Sequence, residues 1–365
     1  MAGLSGAVNR HDLDGRRFVW LACGLAEPQN KLPGLQIARA AAALGIAYFH
    51  SWHVTMPFPP GTSYPIPFLK EYGWIAVNFF FSISGFVICL VATKPNFRPL
   101  QFLVRRVFRL YPLWIVTSLL FLGLSVIALG MPTRSSPAFF AYCLTLLPTE
   151  GFPFYDVGWS LQHELAFYAL AALLVPNVGL FGLSVFLCAG AIADQVLTLP
   201  WFLHQYASYY PNFLAGIVAF AANGYTKRFG VWLPIAVGIG LLALFTQTIG
   251  QLAFPFALFF LLVGFINIEF DERLLAERLG VLLGDASYSI YLLHPLVFYT
   301  VYWRLQPPLP PVWSQEILRF GSIAVVCLLS IASWKLFESP TIRFGNALIG
   351  RFKRSGIEAS PRAVE

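Results

Sequence analysis

Charge is scarce in this sequence. Only 11% of the 365 residues are Asp, Glu, Lys or Arg, whereas soluble globular proteins carry about 25%. Hydrophobic residues make up 58% of the chain, and the stretches 110–133 and 229–268 contain no charged residue. A membrane helix needs about 20 predominantly apolar residues, so the first stretch can hold one such helix and the second can hold two. The composition therefore excludes a soluble globular domain and predicts a helical protein that crosses the membrane several times.

The cysteines and the basic residues do not indicate another class of protein. The five cysteines are odd in number and mostly lie in apolar runs, so we expect no disulfide framework and no metal site. The net charge of +7 comes from basic residues at the predicted loops, which favours a lipid bilayer and not nucleic acid as the partner. The first 31 residues are mixed and polar, so we expect no cleavable signal peptide.

The order of apolar segments predicts an all-α fold, a polytopic membrane bundle of about ten transmembrane helices. The predicted spans are 35–54, 73–93, 104–130, 159–176, 180–197, 209–224, 231–248, 251–268, 281–302 and 317–337. The segment 137–148 is too short to span, and we expect a re-entrant or half helix packed inside the bundle. This gives a cytoplasmic N-terminal tail (1–32), one membrane domain (33–344) and a basic cytoplasmic C-terminal tail (345–365). With both termini in the cytoplasm, most lysines and arginines fall on the cytoplasmic side, as the positive-inside rule requires.

Two ionisable residues share one face of the first predicted helix. Arg39 and His50 are about three helical turns apart, roughly 16 Å along the axis. An arginine near a helix end can extend to the interface, and an interior histidine can be purely structural. A histidine is also the usual general base for removing a proton from a hydroxyl. Because ionisable residues inside a span mark functional sites by default, both are candidates.

The segment "FLVRRVFRLYP" (102–112) places three arginines at the cytoplasmic end of the third predicted span. Arg105 and Arg109 share a helix face, as do Arg106 and Arg109. Three guanidinium groups can bind phosphate, since each one can donate two hydrogen bonds to it. An ordinary positive-inside cluster would have the same sequence, so the two interpretations stay open.

Two further segments carry polar groups into predicted spans. In "GWSLQHELAFY" (158–168), Glu164 could orient the second ring nitrogen of a catalytic histidine, or it could pair with a buried arginine for structural reasons. In "DASYSIYLLHPLVF" (285–298), polar residues recur at spacings of three and four: Ser287, Tyr288, Tyr291 and His294. Such a stripe is expected to face the interior of the bundle. It could line a substrate pathway, or it could join helices by hydrogen bonds.

Taken together, these motifs resemble the acyltransferase-3 family, whose members are integral-membrane O-acyltransferases of bacterial surface polysaccharides and lipopolysaccharides. The resemblance runs from about residue 33 to residue 344. It rests on the arginine–histidine spacing of the first helix, "FFFSISGF" (79–86), the two segments at 102–112 and 158–168, "SYSIYLLH" (287–294), and the closing Glu338 and Pro340. Each motif is short, whereas their combined order is specific. Asn78 stands where relatives often have aspartate.

The resemblance implies an O-acyltransferase of the bacterial inner membrane. It would move an acyl group, most commonly acetyl, from cytoplasmic acyl-CoA to a hydroxyl of a surface glycan or glycolipid, without a permanently bound cofactor. His50, oriented by Glu164, would be the catalytic base, and a covalent acyl-histidine relay is the alternative to direct transfer. The phosphates of acyl-CoA would contact four arginines: Arg39, Arg105, Arg106 and Arg109. The acceptor would contact polar and aromatic residues: Trp159, Asn78, Ser287, Tyr288, Tyr291 and His294.

Two other functions fit part of the same pattern. A transporter or flippase of a lipid-linked sugar would also have many spans and intramembrane polar residues, with Arg39, Glu164 and His294 in an anion or proton pathway. A structural subunit of a polysaccharide-synthesis complex would tolerate loss of His50. Neither explains the arginine cluster together with the spacing between Arg39 and His50, so we favour the enzyme.

Overall fold

The computed structural model of the chain describes residues 32–55, 66–94, 97–127, 136–248, 254–271, 273–305 and 312–354. All regular elements within these residues are helical, as expected. In chain order they are α1 (Pro33–Thr55), α2 (Pro67–Tyr72), α3 (Ile75–Ala92), α4 (Pro99–Ile127), α5 (Pro137–Leu144), α6 (Gly158–Val196), α7 (Trp201–Ala207), α8 (Tyr210–Thr226), α9 (Trp232–Thr248), α10 (Phe254–Ile266), α11 (Leu275–Asp285), α12 (Ser287–Leu305), α13 (Val312–Ser333) and α14 (Ser339–Arg354). A 3₁₀ turn (Lys227–Phe229) follows α8, and a π-helical turn (Trp334–Glu338) joins α13 to α14. Residues 1–31 of the predicted N-terminal tail and residues 355–365 of the predicted C-terminal tail lie outside the described residues.

Within the described residues, four helices are long and apolar enough to cross a membrane, or up to six if each bent pair of helices counts as one span. The four segments are Ile75–Ala92, Pro99–Val126, Gly158–Val196 and Glu316–Arg351. These helices are typical of a membrane protein. The predicted total of about ten spans is not confirmed.

Breaks in the helices affect how the spans are counted. The predicted spans 159–176 and 180–197 correspond to two helices that meet within α6 at a kink at Gly179. Gly179 has a φ of +68°, a left-handed conformation that favours glycine. Pro176 adds to the kink because it cannot donate a helical hydrogen bond. The predicted span 281–302 is divided between α11 and α12 by a break at Ala286.

The segment 137–148 contains a short helix, α5, as expected, but this helix is not packed inside the bundle. Only Cys143 of its eight residues is buried. The helix ends beside α4, where the Tyr111 hydroxyl donates to the carbonyl of Thr145 at 2.7 Å. A helix satisfies most of its own backbone hydrogen bonds, so the apolar outer face of α5 can lie against lipid.

The chain divides into two compact units, and the boundaries fall within α1 and α6, before the last residue of α11, and between helices. The first unit contains the described residues up to Ala42, Ile75–Phe97 and Leu173–Gly284, and the second contains Ala43–Trp74, Arg98–Ala172 and the described residues from Asp285 onward. In the first unit, α3 and α10 pack against α8, and α9 packs against α10. In the second unit, α12 packs against α13 and α4, and α14 packs against α4.

Two glycines allow α3 and α8 to approach closely in the first unit. A Cβ atom at Gly85 would collide with the carbonyl oxygen of Phe213, and one at Gly216 would collide with that of Ser82. The Ser82 hydroxyl donates to the carbonyl of Asn212 at 2.8 Å. Small residues commonly mediate helix association in membranes for this reason. Gly85 belongs to the "FFFSISGF" motif, so part of that motif has a packing role.

Candidate functional site

Most of the predicted site residues lie in the second unit. Helix α1 contributes His50, α4 contributes the three arginines, the start of α6 contributes Trp159 and Glu164, and α12 contributes the polar stripe. Arg39 and His50 lie on one continuous helix, as expected. Arg39 and Asn78 fall in the first unit, so their predicted roles beside the other residues stay predictions. Arg39 donates to the Gln36 side chain at 3.4 Å, and Asn78 is buried on α3.

Two histidines meet in the second unit. The ring centroids of His50 and His294 are 5.0 Å apart, and the ring planes are inclined by 50°. His294 is fully buried, whereas His50 is half-buried. The sequence suggested separate tasks for them, as base and as acceptor contact. Their contact was not predicted, because residues this far apart in the chain leave no local signal of their proximity.

Local backbone geometry fixes which nitrogen of neutral His294 carries the proton. Its Nδ1 lies 3.1 Å from the carbonyl oxygen of Ile290, one helical turn earlier. A carbonyl can only accept a hydrogen bond, so Nδ1 is protonated and Nε2 keeps its lone pair. Pro295 has no N–H and leaves the carbonyl of Tyr291 without its helical donor, and that carbonyl also interacts with the imidazole. Among the described residues, Nε2 has no hydrogen-bond partner.

Aromatic rings surround the two imidazoles. The centroid of Phe49 lies 5.3 Å from that of His50, in an edge-on contact. The rings of Tyr291 and Phe298 lie 5.8 and 5.9 Å from His294. Electrostatic interactions between polar groups are stronger in such surroundings than in water. The site is therefore suited to proton transfer between groups held at fixed positions.

The polar stripe of α12 is buried, as expected, and its two tyrosines bind backbone carbonyls. Tyr288 donates to the carbonyl of Leu110 on α4 at 2.6 Å. Tyr291 donates to that of Val157 at 2.9 Å, and its hydroxyl also lies 2.7 Å from Ser160 Oγ. These bonds join α12 to α4 and to the start of α6. For both tyrosines, the structure supports the helix-joining interpretation.

Trp159 and Ser287, two other predicted acceptor contacts, differ in accessibility. The indole of Trp159 lies 5.4 Å from the ring of His163, whose Nδ1 is 2.7 Å from the Trp159 carbonyl oxygen. Trp159 is half-buried. Ser287 is fully buried, and its hydroxyl has no hydrogen-bond partner within the described part of the chain. Trp159 is thus the better placed of the two to contact an acceptor.

The three arginines of α4 lie in different environments. The Arg106 guanidinium is buried, 4.4 Å from the ring centroid of Tyr168 and 5.1 Å from that of Phe102. Arg105 is exposed and Arg109 is half-buried. Cation–π contacts of this kind are strongest where water is excluded. Arg106 is therefore placed to stabilise the packing of α4 against the start of α6, and its predicted role in phosphate binding stays a prediction, while Arg105 and Arg109 are more accessible.

Glu164 belongs to the same cluster as Arg106. The Tyr168 hydroxyl donates a hydrogen bond to the Glu164 carboxylate, and this carboxylate attracts the Arg106 guanidinium. Tyr168 thus contacts the cation through its ring and the anion through its hydroxyl. This arrangement agrees with the interpretation in which Glu164 pairs with a buried arginine. Its predicted contact with His50 stays a prediction.

Two buried ionic groups of the second unit were not among the predicted site residues. Glu338 ends the π-helical turn and accepts a hydrogen bond from the Ser289 hydroxyl at 2.9 Å. On α13, Arg319 is buried and its Nη1 lies 2.7 Å from Oε1 of Glu316. Both Glu338 and Ser289 lie in motifs of the sequence, so their motif positions were an available signal. For Arg319, the available signal was its position inside the predicted span 317–337.

Known proteins resemble the chain over most of its length. The family model described as "Acyltransferase domain" (acyltransferase-3) matches residues 32–334. The chain is 28% identical over 296 residues to "Exopolysaccharide production protein ExoZ" of Rhizobium meliloti (strain 1021), which covers 75% of this chain and 91% of the relative. It is 22% identical over 288 residues to "Putative acetyltransferase ORF330" of Acidianus two-tailed virus, which covers 74% of this chain and 84% of the relative. No solved structure matches the chain at a significant level.

Proposed function

Since the chain belongs to the acyltransferase-3 family, we propose that it is an O-acyltransferase of the bacterial inner membrane with both termini in the cytoplasm. It moves an acyl group, with acetyl as the first candidate, from cytoplasmic acyl-CoA to a hydroxyl of a cell-surface glycan or glycolipid. The contact between His50 and His294 is the main support for this proposal, because an imidazole in a fixed position can remove the hydroxyl proton.

In this proposal, Arg105 and Arg109 bind the phosphates of CoA. They lie one turn apart on α4 and are exposed and half-buried, respectively. A guanidinium can donate two parallel hydrogen bonds to a phosphate. Arg106 is held over Tyr168 and adds a fixed positive charge beside them.

His50 acts on the acceptor hydroxyl. Its imidazole takes the hydroxyl proton while the oxygen attacks the thioester carbonyl, so that a C–O bond forms and the C–S bond breaks. The imidazolium then gives its proton to the departing CoA thiolate, and the enzyme returns to its starting state. This direct transfer needs no acyl-enzyme. Trp159, with its half-buried indole, offers an aromatic face for a sugar ring.

The names of the relatives support the proposed substrates. One relative is an exopolysaccharide production protein, which favours a glycan as the acceptor. The other is a putative acetyltransferase, which favours acetyl as the acyl group. Because the chain covers most of both relatives, this support concerns the membrane domain as a whole.

Binding of coenzyme A to the detergent-purified protein tests the donor site. We expect saturable binding of CoA and acetyl-CoA, and we expect an Arg105→Ala, Arg109→Ala double variant to bind at least about tenfold more weakly, since charge-assisted hydrogen bonds are lost. Arg351→Ala is the matched control, because Arg351 is an exposed arginine near the end of α14. A folded wild-type protein that binds no CoA at millimolar concentration would contradict the proposal and favour a transporter.

A further inference from the structure

Helix α14 carries apolar and basic residues on opposite faces. On one face, Gly345 and Ile349 are buried, and a Cβ atom at Gly345 would lie 2.6 Å from the ring of Phe108 on α4. On the other face, Arg343 and Arg351 are exposed. A helix with one apolar face and arginines on its polar face is typical of segments that lie at a membrane surface.

The segment that contains α14 has an excess of positive charge. Between residues 339 and 357 the sequence has no acidic residue and four basic ones: Arg343, Arg351, Lys353 and Arg354. The guanidinium groups of Arg343 and Arg351 have no hydrogen-bond or ion-pair partner among the residues that the structure describes. An anion from outside the described chain is therefore the partner that this face of α14 fits.

The place of α14 in the chain brings these arginines close to lipid headgroups. The helical segment Glu316–Arg351 is 36 residues long, about 54 Å at the usual rise per residue. The hydrocarbon core of a bilayer is about 30 Å thick, so roughly the last 16 residues of this segment extend past it. Trp334 and Lys335 begin the π-helical turn before α14, and these residue types are typical anchors at a membrane interface. The arginines of α14 therefore follow the point where the chain leaves the core.

We propose that this face of α14 binds the headgroups of anionic phospholipids, with Arg343 and Arg351 donating to the lipid phosphates. A guanidinium can donate two parallel hydrogen bonds to one phosphate group. Lipids with a net negative charge are favoured over zwitterionic lipids, because basic residues next to a membrane helix are attracted to a negative surface. This inference does not depend on the proposed acyl transfer, since it concerns the lipid around the protein and not its substrates.

Modification of arginines by phenylglyoxal, mapped by mass spectrometry on the wild-type protein, tests this contact residue by residue. The full-length protein is compared in nanodiscs of phosphatidylcholine and in nanodiscs that also contain phosphatidylglycerol. We expect phosphatidylglycerol to slow the modification of Arg343 and Arg351 at least about fivefold. This is the factor that the attraction of one arginine to an anionic lipid surface represents.

Two exposed arginines of α11, Arg273 and Arg278, are the matched control. The backbone N–H of Arg273 donates to the Asp271 carboxylate, and Glu277 precedes Arg278 in the sequence, so acidic groups offset their charge. Their modification should change by less than about twofold. Equal rates at Arg343 in the two kinds of nanodisc would overturn the inference. An equal slowing by inorganic phosphate in phosphatidylcholine nanodiscs would also overturn it, as would a slowing at α11 as large as that at α14.

Thermal denaturation in the same nanodiscs gives a second measurement. Phosphatidylglycerol should raise the Tm of the wild type, because a lipid that binds the folded protein stabilises it. Arg343→Gln combined with Arg351→Gln should lose this increase, whereas Arg343→Lys combined with Arg351→Lys keeps both charges and should keep most of it. An equal increase in the glutamine variant would contradict the inference.

A second copy of the chain is the alternative occupant of this face. A dimer in detergent that the glutamine variant abolishes would overturn the inference in favour of that occupant. Failure of the wild-type protein to bind CoA in detergent, without anionic lipid, would refute the proposed function alone. The two failures are therefore distinguishable.

Discussion

The two units bury different kinds of polar side chain. In the first unit, the fully buried polar residues that the structure describes are serines and asparagines, and one carboxylate, that of Asp194, is covered where it pairs with the exposed His204. The buried histidine, arginine and glutamate residues of the described chain all lie in the second unit: His163, His294, Arg106, Arg319 and Glu338. Burying an ionisable group is far more costly than burying a hydroxyl or an amide. This difference agrees with the proposed function, in which the catalytic residues lie in the second unit.

The largest effect should come from removing His50 in the second unit. His50→Gln should lower the rate of acyl transfer by about 10³-fold, because general base catalysis commonly contributes about 10²- to 10⁴-fold. His204→Gln is the matched variant in the first unit, where His204 is exposed and pairs with Asp194. It should leave the rate within about twofold of the wild type. The release of CoA from acetyl-CoA measures the rate of each variant. Equal losses of rate in the two variants would contradict the assignment of the catalytic residues to the second unit.

The next effect should appear in the first unit, and it should be a loss of stability. Gly216→Leu places a side chain against the Ser82 carbonyl and should lower the free energy of unfolding by about 3 kcal/mol, at the upper end for overpacking. Gly240→Leu is the control, since a Cβ atom there has open space around it. Thermal denaturation followed by size-exclusion chromatography compares them. Equal Tm values would show that close contact between α3 and α8 is not required.

A smaller effect should distinguish two neighbouring arginines of the second unit. Arg106→Leu removes a buried cation from the ring of Tyr168 and from Glu164, so it should lower the free energy of unfolding by about 2 kcal/mol. Arg105→Leu changes an exposed residue and should leave Tm unchanged while weakening CoA binding. Measuring the Tm of both variants, and titrating both with CoA, tests this prediction. The reverse result would mean that the donor site includes the buried arginine instead.

The smallest effect should come from the hydrogen bond between Ser289 and Glu338. Ser289→Ala removes a donor from this buried carboxylate and should lower the free energy of unfolding by about 1 kcal/mol. Ser322→Ala is the comparison on α13, where the hydroxyl donates to the Leu318 carbonyl of its own helix. That variant should change stability by less than about 0.5 kcal/mol. Equal Tm shifts in the two variants would show that the hydrogen bond from Ser289 to Glu338 contributes no more stability than the one within α13.

Local patterns predicted the helices more successfully than their breaks. The apolar run of α3 and the polar spacing of α12 each appear in a short segment, so the burial of both could be predicted. The break between α11 and α12 was not predicted, although Gly284, Asp285 and Ser287, residue types common at helix ends, lie beside it. The kink at Gly179 also had a local signal, in Pro176 and the glycine itself, but the direction of the chain after it depends on packing.

Whether a side-chain contact could be predicted depended on how far apart the two residues lie in the chain. Glu164 and Tyr168 are four residues apart on one helix, so their contact follows from helical spacing. The choice of Arg106 instead of Arg105 or Arg109 as the buried cation depends on which face of α4 meets α6. For the same reason, the sequence left open whether the three arginines act as a phosphate receptor or as a topology signal.

By itself, the sequence determined that this protein is a helical membrane protein of the acyltransferase-3 type, since scarce charge, long apolar runs and ordered motifs are local properties. Tertiary structure alone decided that His50 meets His294, that Arg106 is covered by Tyr168, and that α5 lies at the surface. The physical reason is that helical periodicity specifies the face on which a side chain lies. Which distant helix covers that face depends on how all the helices pack together.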